Sequence, residues 1–278
     1  MISRPLISVL LFLSLFSQSK SQSISQDSYA IGAICKDGIV VGVDSRMFYK
    51  DTKGLYFSVD PVAKIFLVGG CIVTITGRET IYDTLISHYV NSFRNLANTN
   101  LSPFLLINSF VNFLLTNSRF TSSDLHNIQM AAYGFEDGIP KICSTNADRP
   151  QIPDNQQGEG VFSSDSLANF GKNKKYNMPF CSSHLSNEVG PLITKEIRAV
   201  ARKYKRQNTI GGQICLMQLT PDLSTQWLSK EPKFLEYTSI CDIFRDVNNK
   251  KISPKYTAHK LKKKIRARIA NCPSNSQL

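Results

Sequence analysis

The chain has 278 residues, of which 42% are hydrophobic and 10% aromatic. This length and composition exclude a disordered chain and suffice for one large domain with a sizeable core. The net charge of +12 is uneven, because ten Lys and Arg residues and one acid follow Phe244, a local sum of +9. The rest of the chain is therefore close to neutral, and its charge excludes no partner class for the main domain.

The N-terminal residues are typical of a secretory signal peptide. Arg4 precedes an apolar run from Leu6 to Phe16, and a polar Ser/Gln-rich run follows it. The apolar run is too short for a stable transmembrane span. Small residues favour cleavage before Ile24, with cuts after Ser19 or Ser21 as alternatives, and an uncleaved signal anchor is the other interpretation.

The composition of the chain predicts three parts. They are a signal peptide at 1–23, a globular domain at 24–244 and a basic C-terminal tail, partly helical, at 245–278. The first part predicts a secreted or extracytoplasmic protein.

The first element after the signal peptide is a predicted hairpin from Ser28 to Arg46. Two short apolar strands flank a turn at Lys36-Asp37-Gly38, since Asp-Gly between β-prone runs is a strong hairpin signal. The polar residues Asp44-Ser45-Arg46 end the second strand abruptly. A strand that delivers an Asp and an Arg at its end indicates a site, and the alternative is a hairpin with a solvated end.

The elements that follow alternate between runs of strands and runs of helices. Met47 to Asp60 is predicted as a polar loop, and the strands after it should continue the hairpin as an antiparallel meander. The predicted strands are Ala63–Val68, Cys71–Thr76, Ile128–Phe135, Ile139–Ser144, Gln213–Leu219 and Thr225–Leu228.

Helical periodicity begins at Arg78, where apolar residues recur at four-residue steps. A second helix is predicted at Pro103–Asn117 with Ser102 as its N-cap. Further helices are predicted at Ser163–Phe170 and Val189–Tyr204, with irregular loops at Thr145–Gly160 and Lys172–Ser186. This order predicts an α+β fold with antiparallel sheets covered by helices on both outer faces.

The seven cysteines and four histidines give no metal pattern. There is no CxxC and no Cys/His pair at zinc spacing, and His88, His126, His184 and His259 are scattered. No cofactor or metal is expected. Export would permit disulfides, but the spacing assigns no pairs.

The basic tail contains a possible amphipathic helix. Leu261, Ile265 and Ile269 recur at four-residue steps among Lys and Arg residues. Such a helix could contact a membrane surface or an acidic partner, and no motif for specific nucleic-acid binding accompanies it. The alternative is a solvated charged face.

Several motifs together resemble the proteasome subunits, which are N-terminal nucleophile hydrolases. The resemblance covers about Ser28 to Trp227 and rests on Lys36–Arg46, Lys64-Ile65-Phe66, Ile75-Thr76-Gly77 and Gly211-Gly212. It implies a four-layer α-β-β-α sandwich, and family members assemble into rings through their helical layers.

The resemblance also implies a catalytic site. In catalytic members the first residue of the mature chain is the nucleophile and its own α-amine is the base. Ser28 falls on the nucleophile, Asp44 and Lys64 on the aspartate and lysine beside it, Arg46 on the following arginine, and Gly77 on the glycine of the oxyanion hole. The Gly77 backbone N–H would be aided by the N-terminus of the first helix.

Three departures from the catalytic pattern are visible. Ser28 replaces threonine, the predicted signal cleavage leaves residues ahead of Ser28, and Gln207 and Ile210 stand where active subunits place an aspartate and a serine.

Two functions follow. One is an exported hydrolase that cleaves peptide or other amide bonds and could form a homo-oligomer or ring. The other is a non-catalytic structural or interaction protein of the same fold.

Overall fold

A computed structural model of the chain describes residues 28–97, 101–116, 120–146, 154–157, 161–163, 183–203, 209–255 and 257–272. The predicted signal peptide, most of the short helix predicted at Ser163–Phe170 and Gln207 lie outside these residues. Within them the fold is α+β with antiparallel sheets, as the order of the elements predicts.

The described elements comprise fourteen strands and five α-helices. The strands are β1 (Ala30–Cys35), β2 (Gly38–Asp44), β3 (Met47–Lys50), β4 (Tyr56–Val59), β5 (Ile65–Val68), β6 (Cys71–Gly77), β7 (Thr80–Ile81), β8 (Thr84–Leu85), β9 (Ile128–Glu136), β10 (Ile139–Asn146), β11 (Asp154–Gln157), β12 (Val161–Ser163), β13 (Ile214–Leu219) and β14 (Thr225–Trp227). The helices are α1 (Ile86–Arg94), α2 (Pro103–Thr116), α3 (Ser186–Lys203), α4 (Ile240–Asn248) and α5 (Leu261–Ile269), with a 3₁₀ turn at Ser122–Leu125.

Two five-stranded antiparallel sheets dominate the described part of the chain. Sheet I has the order β12-β1-β2-β13-β14, and sheet II has the order β11-β10-β9-β6-β5. The predicted continuous meander is therefore wrong. The first hairpin belongs to sheet I and the second to sheet II, because β13 pairs with β2 and β9 pairs with β6.

Strand alternation explains how each sheet packs on both faces. On β2, Ile39, Val41 and Val43 join a core shared with residues of sheet II, whereas Val40 faces the opposite way and joins a core with α3. Helices α1 and α2 pack with residues of sheet II in a third core. The apolar residues of β2 are buried because they are covered on both faces, whereas in the second hairpin Leu67 of β5 is exposed.

Helix α2 begins as predicted. Ser102 Oγ accepts a hydrogen bond from Leu105 N, and Pro103 occupies the first turn, where its missing N–H costs nothing. Helix α3 begins at Ser186, slightly ahead of the predicted start, and buries Ile193 and Ile197 against sheet I.

Three predicted boundaries are corrected. Residues after Gly77 form the β7–β8 hairpin, and the first helix begins only at Ile86. The predicted loop from Met47 to Asp60 contains the paired strands β3 and β4. In the predicted loop Thr145–Gly160, β10 continues to Asn146 and β11 pairs with it.

The C-terminal region packs onto the β3–β4 hairpin. Phe57 of that hairpin shares a core with Phe244 of α4 and Ile265 of α5, which is fully buried. A disulfide joins Cys241 to Cys272. Helix α4 crosses the predicted division between residues 244 and 245. No helix in the described ranges is long and apolar enough to cross a membrane.

Candidate active site

The candidate site forms where β1 begins and β2 ends. The two strands are antiparallel, with Ala30 opposite Val43, so Ser28 and Asp44 are brought to the same end of sheet I. Tyr29 N donates to Asp44 Oδ1 at 2.8 Å, and Asp44 N donates to Tyr29 O at 3.1 Å. The hairpin register thus fixes the Asp44 carboxylate beside the residue that follows Ser28.

Lys64 lies immediately before β5 and is almost completely buried. Its Nζ is 3.2 Å from Asp44 Oδ2 and 3.0 Å from Glu79 Oε1, and it also donates to the backbone carbonyl of Arg46. The side chain is 2% exposed, which excludes the alternative of a solvated strand-edge lysine. The structure therefore brings Asp44 and Lys64 together, the arrangement that the resemblance implies.

Glu79 completes the group and was missed by sequence reasoning. Ser28 Oγ donates to Glu79 Oε1 at 2.8 Å, and Lys64 binds the same oxygen. The available signal was a carboxylate shortly after the end of β6, comparable to Asp44 at the end of β2. The four side chains of Ser28, Asp44, Lys64 and Glu79 are called the Ser28 cluster below.

Burial and charge set the protonation of the Ser28 cluster. Burial alone would lower the pKa of Lys64, but the charges of Asp44 and Glu79 outweigh it and raise the pKa above its ordinary value. Burial raises the pKa of Glu79, and the charge of Lys64 and the hydrogen bond from Ser28 only partly offset it. Lys64 is therefore cationic at neutral pH and lies within 3.2 Å of both the Asp44 and Glu79 carboxyl groups.

The Gly211-Gly212 pair, which lies just before β13, contacts the Ser28 cluster. Gly211 N donates to Asp44 Oδ2 at 3.1 Å, and Gly211 O accepts from Ser45 N and Arg46 N at 3.2 and 3.0 Å. A Cβ at Gly211 would lie 2.7 Å from Arg46 Nη1. Glycine is favoured there chiefly by its φ of +149°, which side chains oppose, since the Arg46 guanidinium is the end of a flexible side chain and could shift.

The Arg46 guanidinium points to a different partner. It binds Asp60, at 3.2 Å from both Nε and Nη2 to Oδ2, and Lys255 Nζ lies 3.0 Å from the other oxygen of that carboxylate. Arg46 meets Lys64 through its backbone carbonyl. Its side chain thus forms an ion pair beside the Ser28 cluster.

Gly77 ends β6 with a φ of +81°, and a Cβ there would overlap the backbone oxygen of Asn127. The predicted support from a helix N-terminus is wrong, because α1 begins at Ile86 and the β7–β8 hairpin intervenes. The close approach of Asn127 explains the glycine without any catalytic role.

The described residues contain no group of three or more His, Cys, Asp or Glu residues that could hold a metal ion. A cleft of about 730 Å³ lies between α3 and the segments Gly211–Ile214 and Leu228–Lys230. Its lining includes Gly211, which is bonded to Asp44, but none of the four residues of the Ser28 cluster. The chemistry available at the cluster is a serine hydroxyl held by a carboxylate next to a buried cation.

Comparison with known proteins assigns the chain to no family. No family model and no curated protein matches the chain. Among solved structures it is similar to an Anbu (Gly-1) mutant from Hyphomicrobium sp. strain MC1, with 9% identity over 74% of this chain and 90% of that chain and a TM-score of 0.49. It is also similar to Anbu (ancestral beta-subunit) from Yersinia bercovieri, with 12% identity over 74% and 88% and a TM-score of 0.47.

The assignment to the proteasome subunits is wrong. No family model supports it, and the solved structures are Anbu proteins, which are proteasome-like but distinct. These likenesses, with identities of 9% and 12%, identify no activity. The function is therefore inferred from the geometry of the Ser28 cluster.

Proposed function

We propose that the chain is an exported hydrolase of peptide or other amide bonds whose nucleophile is Ser28, freed as the N-terminal residue. The observation that carries the proposal is Glu79 Oε1, which binds both Ser28 Oγ and Lys64 Nζ, at 2.8 and 3.0 Å. Asp44 holds Lys64 from the other side at 3.2 Å. A buried hydroxyl, two carboxylates and one cation converge at the point where the chain enters its first strand.

The reaction would follow nucleophilic catalysis. The Ser28 α-amine takes the hydroxyl proton while Oγ attacks the amide carbonyl. The carbon–nitrogen bond then breaks, the leaving amine takes that proton, and water hydrolyses the ester on Ser28. Lys64 stabilises developing negative charge on Oγ through its fixed positive charge. Asp44 and Glu79 keep Lys64 protonated and in place.

Export and processing are part of the proposal. The apolar run at Leu6–Phe16 supports export, and so does the Cys241–Cys272 disulfide, since disulfides persist in oxidising compartments. Cleavage before Ile24 leaves four residues ahead of Ser28, so a second cut after Asp27 is required.

The proposal also includes the assembly of several copies of the chain. Large apolar side chains are exposed on the helices that cover the two sheets, namely Leu192 on α3 and Phe104 and Leu105 on α2. We propose a homo-oligomer through these helices and the four-layer arrangement α3, sheet I, sheet II, α1 with α2.

A second candidate is a non-catalytic protein of the same fold. The saturation of Lys64 favours it, because a lysine has three donor hydrogens and Lys64 has partners at Asp44, Glu79 and the Arg46 carbonyl. In that case the Ser28 cluster is a buried ion-pair network that fixes the end of sheet I.

The mature N-terminus and one pair of variants separate the two candidates. The full chain is secreted from a eukaryotic host, its mature N-terminus is sequenced, and its activity is measured on a panel of fluorogenic peptide amides. We expect the secreted chain to begin at Ser28. We expect Ser28→Ala to lose about 10³-fold or more in kcat/KM, whereas Ser28→Thr retains activity because it keeps the hydroxyl.

A secreted chain that begins at Ile24 or earlier, and never at Ser28, overturns the hydrolase. So does a Ser28→Ala variant with unchanged activity, since the nucleophile would then lie elsewhere.

A further inference from the structure

The outer face of α5 is a fixed cluster of positive charge. Its members are exposed Lys and Arg side chains on α5, just before it and at the end of α4. We define this basic face as Lys250, Lys260, Lys262, Lys263 and Arg266. The four lysines form no ion pair with any acid in the part of the chain that the structure describes.

The apolar side of α5 is already used inside the protein. Ile265 is fully buried, and Leu261 and Ile269 pack against the same core as Phe57 and Phe244. Insertion of this helix into a bilayer would require removing that face from the core. The predicted amphipathic helix therefore has no free apolar face with which to enter a membrane.

Several contacts hold α5 rigidly on the protein. Arg268 binds the buried carboxylate of Asp51, and Lys264 Nζ donates to Gly54 O at 2.8 Å. Arg266 Nε donates to Asn248 Oδ1 at 3.2 Å, and the Cys241–Cys272 disulfide links α4 to the end of α5. These contacts place the basic face on a preorganised platform, so little ordering entropy opposes binding.

We propose that the basic face binds a sulfated polysaccharide. Clusters of Lys and Arg recognise polyanions by charge density, as at heparin and nucleic-acid sites. The inference rests on the export proposed above, which the disulfide beneath the face supports. Outside the cell the soluble polyanions include sulfated glycans. The proposal does not depend on hydrolysis at Ser28, which belongs to a different part of the fold.

The test compares two triple variants of the secreted chain on immobilised heparin. Lys260→Gln/Lys262→Gln/Lys263→Gln removes three charges from the basic face. Lys36→Gln/Arg198→Gln/Lys233→Gln removes three exposed charges from other elements and is the matched control. All six side chains are exposed, so both variants should fold, and their melting temperatures are measured to check this.

We expect the wild type and the control to bind heparin with an affinity that falls as NaCl rises. The basic-face variant should bind about tenfold more weakly or worse at 0.15 M NaCl, with a shallower salt dependence. De-N-sulfated heparin should bind more weakly than heparin.

Equal loss in both triple variants would overturn the proposal, because net charge and not the basic face would then control binding. Equal or tighter binding to duplex DNA of matched length would replace the glycan by a nucleic acid. Tighter binding to phosphatidylserine vesicles than to heparin would replace it by a membrane surface. Proteolytic or amidase activity unchanged in the basic-face variant would confirm that the two sites are separate.

Discussion

Lys64 is the residue on which the electrostatics of the site depend. Its ammonium lies between Asp44 and Glu79, and all three side chains are shielded from water. Breaking a buried ion pair by removing one partner is strongly destabilising, because the remaining charge is left uncompensated. Here the replacement of Lys64 would leave two carboxyl groups without their cationic partner.

We expect Lys64→Met to lower the free energy of unfolding by about 3–5 kcal/mol. The matched control is Lys255→Met, which breaks the Lys255–Asp60 pair, where the lysine side chain is 56% exposed. That change should cost less than about 1 kcal/mol. Urea denaturation of both variants measures the difference, and equal costs would mean that the buried cluster contributes no more than a surface pair.

The pH dependence of stability follows from the same residue. The folded chain holds the Lys64 proton more tightly than the unfolded chain, because its two carboxylate partners raise its pKa above 10.5. The stabilisation is therefore complete below pH 10.5 and is lost as pH rises through the raised pKa. Stability measured from pH 9 to 12 should fall more steeply in the wild type than in Lys64→Met, and parallel curves would contradict the assignment.

The site was only partly predictable from the sequence. Asp44 is the last residue of β2, so the hairpin end was enough to single it out, whereas Lys64 was singled out only by the resemblance to the proteasome subunits. Glu79 was out of reach because its contact with Ser28 spans 51 positions and depends on how sheet II packs against sheet I. Local pattern carries no information on that packing.

At the scale of elements, close packing decides which glycines can be replaced. Gly32 lies on β1, and a Cβ there would overlap the ring of Tyr133, which is fully buried and bonded to Thr74 through its hydroxyl. Gly190 lies inside α3, where a Cβ would meet Leu228 Cδ1 at an ordinary 3.6 Å.

We expect Gly32→Ala to cost about 1–3 kcal/mol through overpacking. Gly190→Ala should be neutral or stabilising by up to about 1 kcal/mol, because alanine favours a helix. Thermal unfolding of the two variants measures both changes in stability. A Gly32→Ala variant as stable as the wild type would show that the two sheets can separate locally without cost.

The delayed start of α1 shows how distant pairing overrides a helical pattern. Ile81 and Leu85 lie at helical spacing, yet each is buried in a different core. Leu85 N donates to Thr238 O, and Thr84 forms a bridge with Ser239, so a segment far along the chain fixes this stretch as a hairpin. Apolar spacing alone predicts a helix there, because it contains no information about a pairing partner so far along the chain.

At the scale of the whole molecule, a disulfide closes the C-terminal region on itself. Cys241 and Cys272 are separated by 31 positions, and the bond links α4 to the end of α5, while both helices pack with the β3–β4 hairpin in one core. We expect Cys272→Ser to lower the free energy of unfolding by about 2–4 kcal/mol.

Reductant provides the control for this prediction. Dithiothreitol should destabilise the wild type by a similar amount and leave Cys272→Ser unchanged. An equal effect of reductant on both proteins would mean that the reducible disulfide is not Cys241–Cys272.

The fold class was predictable, whereas the sheet order was not. Runs of strands separated by runs of helices indicate antiparallel sheets, and the structure has them. Each sheet, however, is completed by strands distant in sequence, since β13 joins β2 and β9 joins β6. Two hairpins that are adjacent in sequence were therefore assigned to one sheet when they belong to two.

Ser28 is also the point at which the chain enters sheet I. The strand that follows it is paired on both sides, by β2 and β12, and a cut before Ser28 would remove none of the strands in the described part of the chain. In the proposed mechanism the α-amine of Ser28 is the base, and that amine exists only after the cut. The cut that exposes the nucleophile would therefore also supply its base, and the precursor would be an inactive form until it is processed.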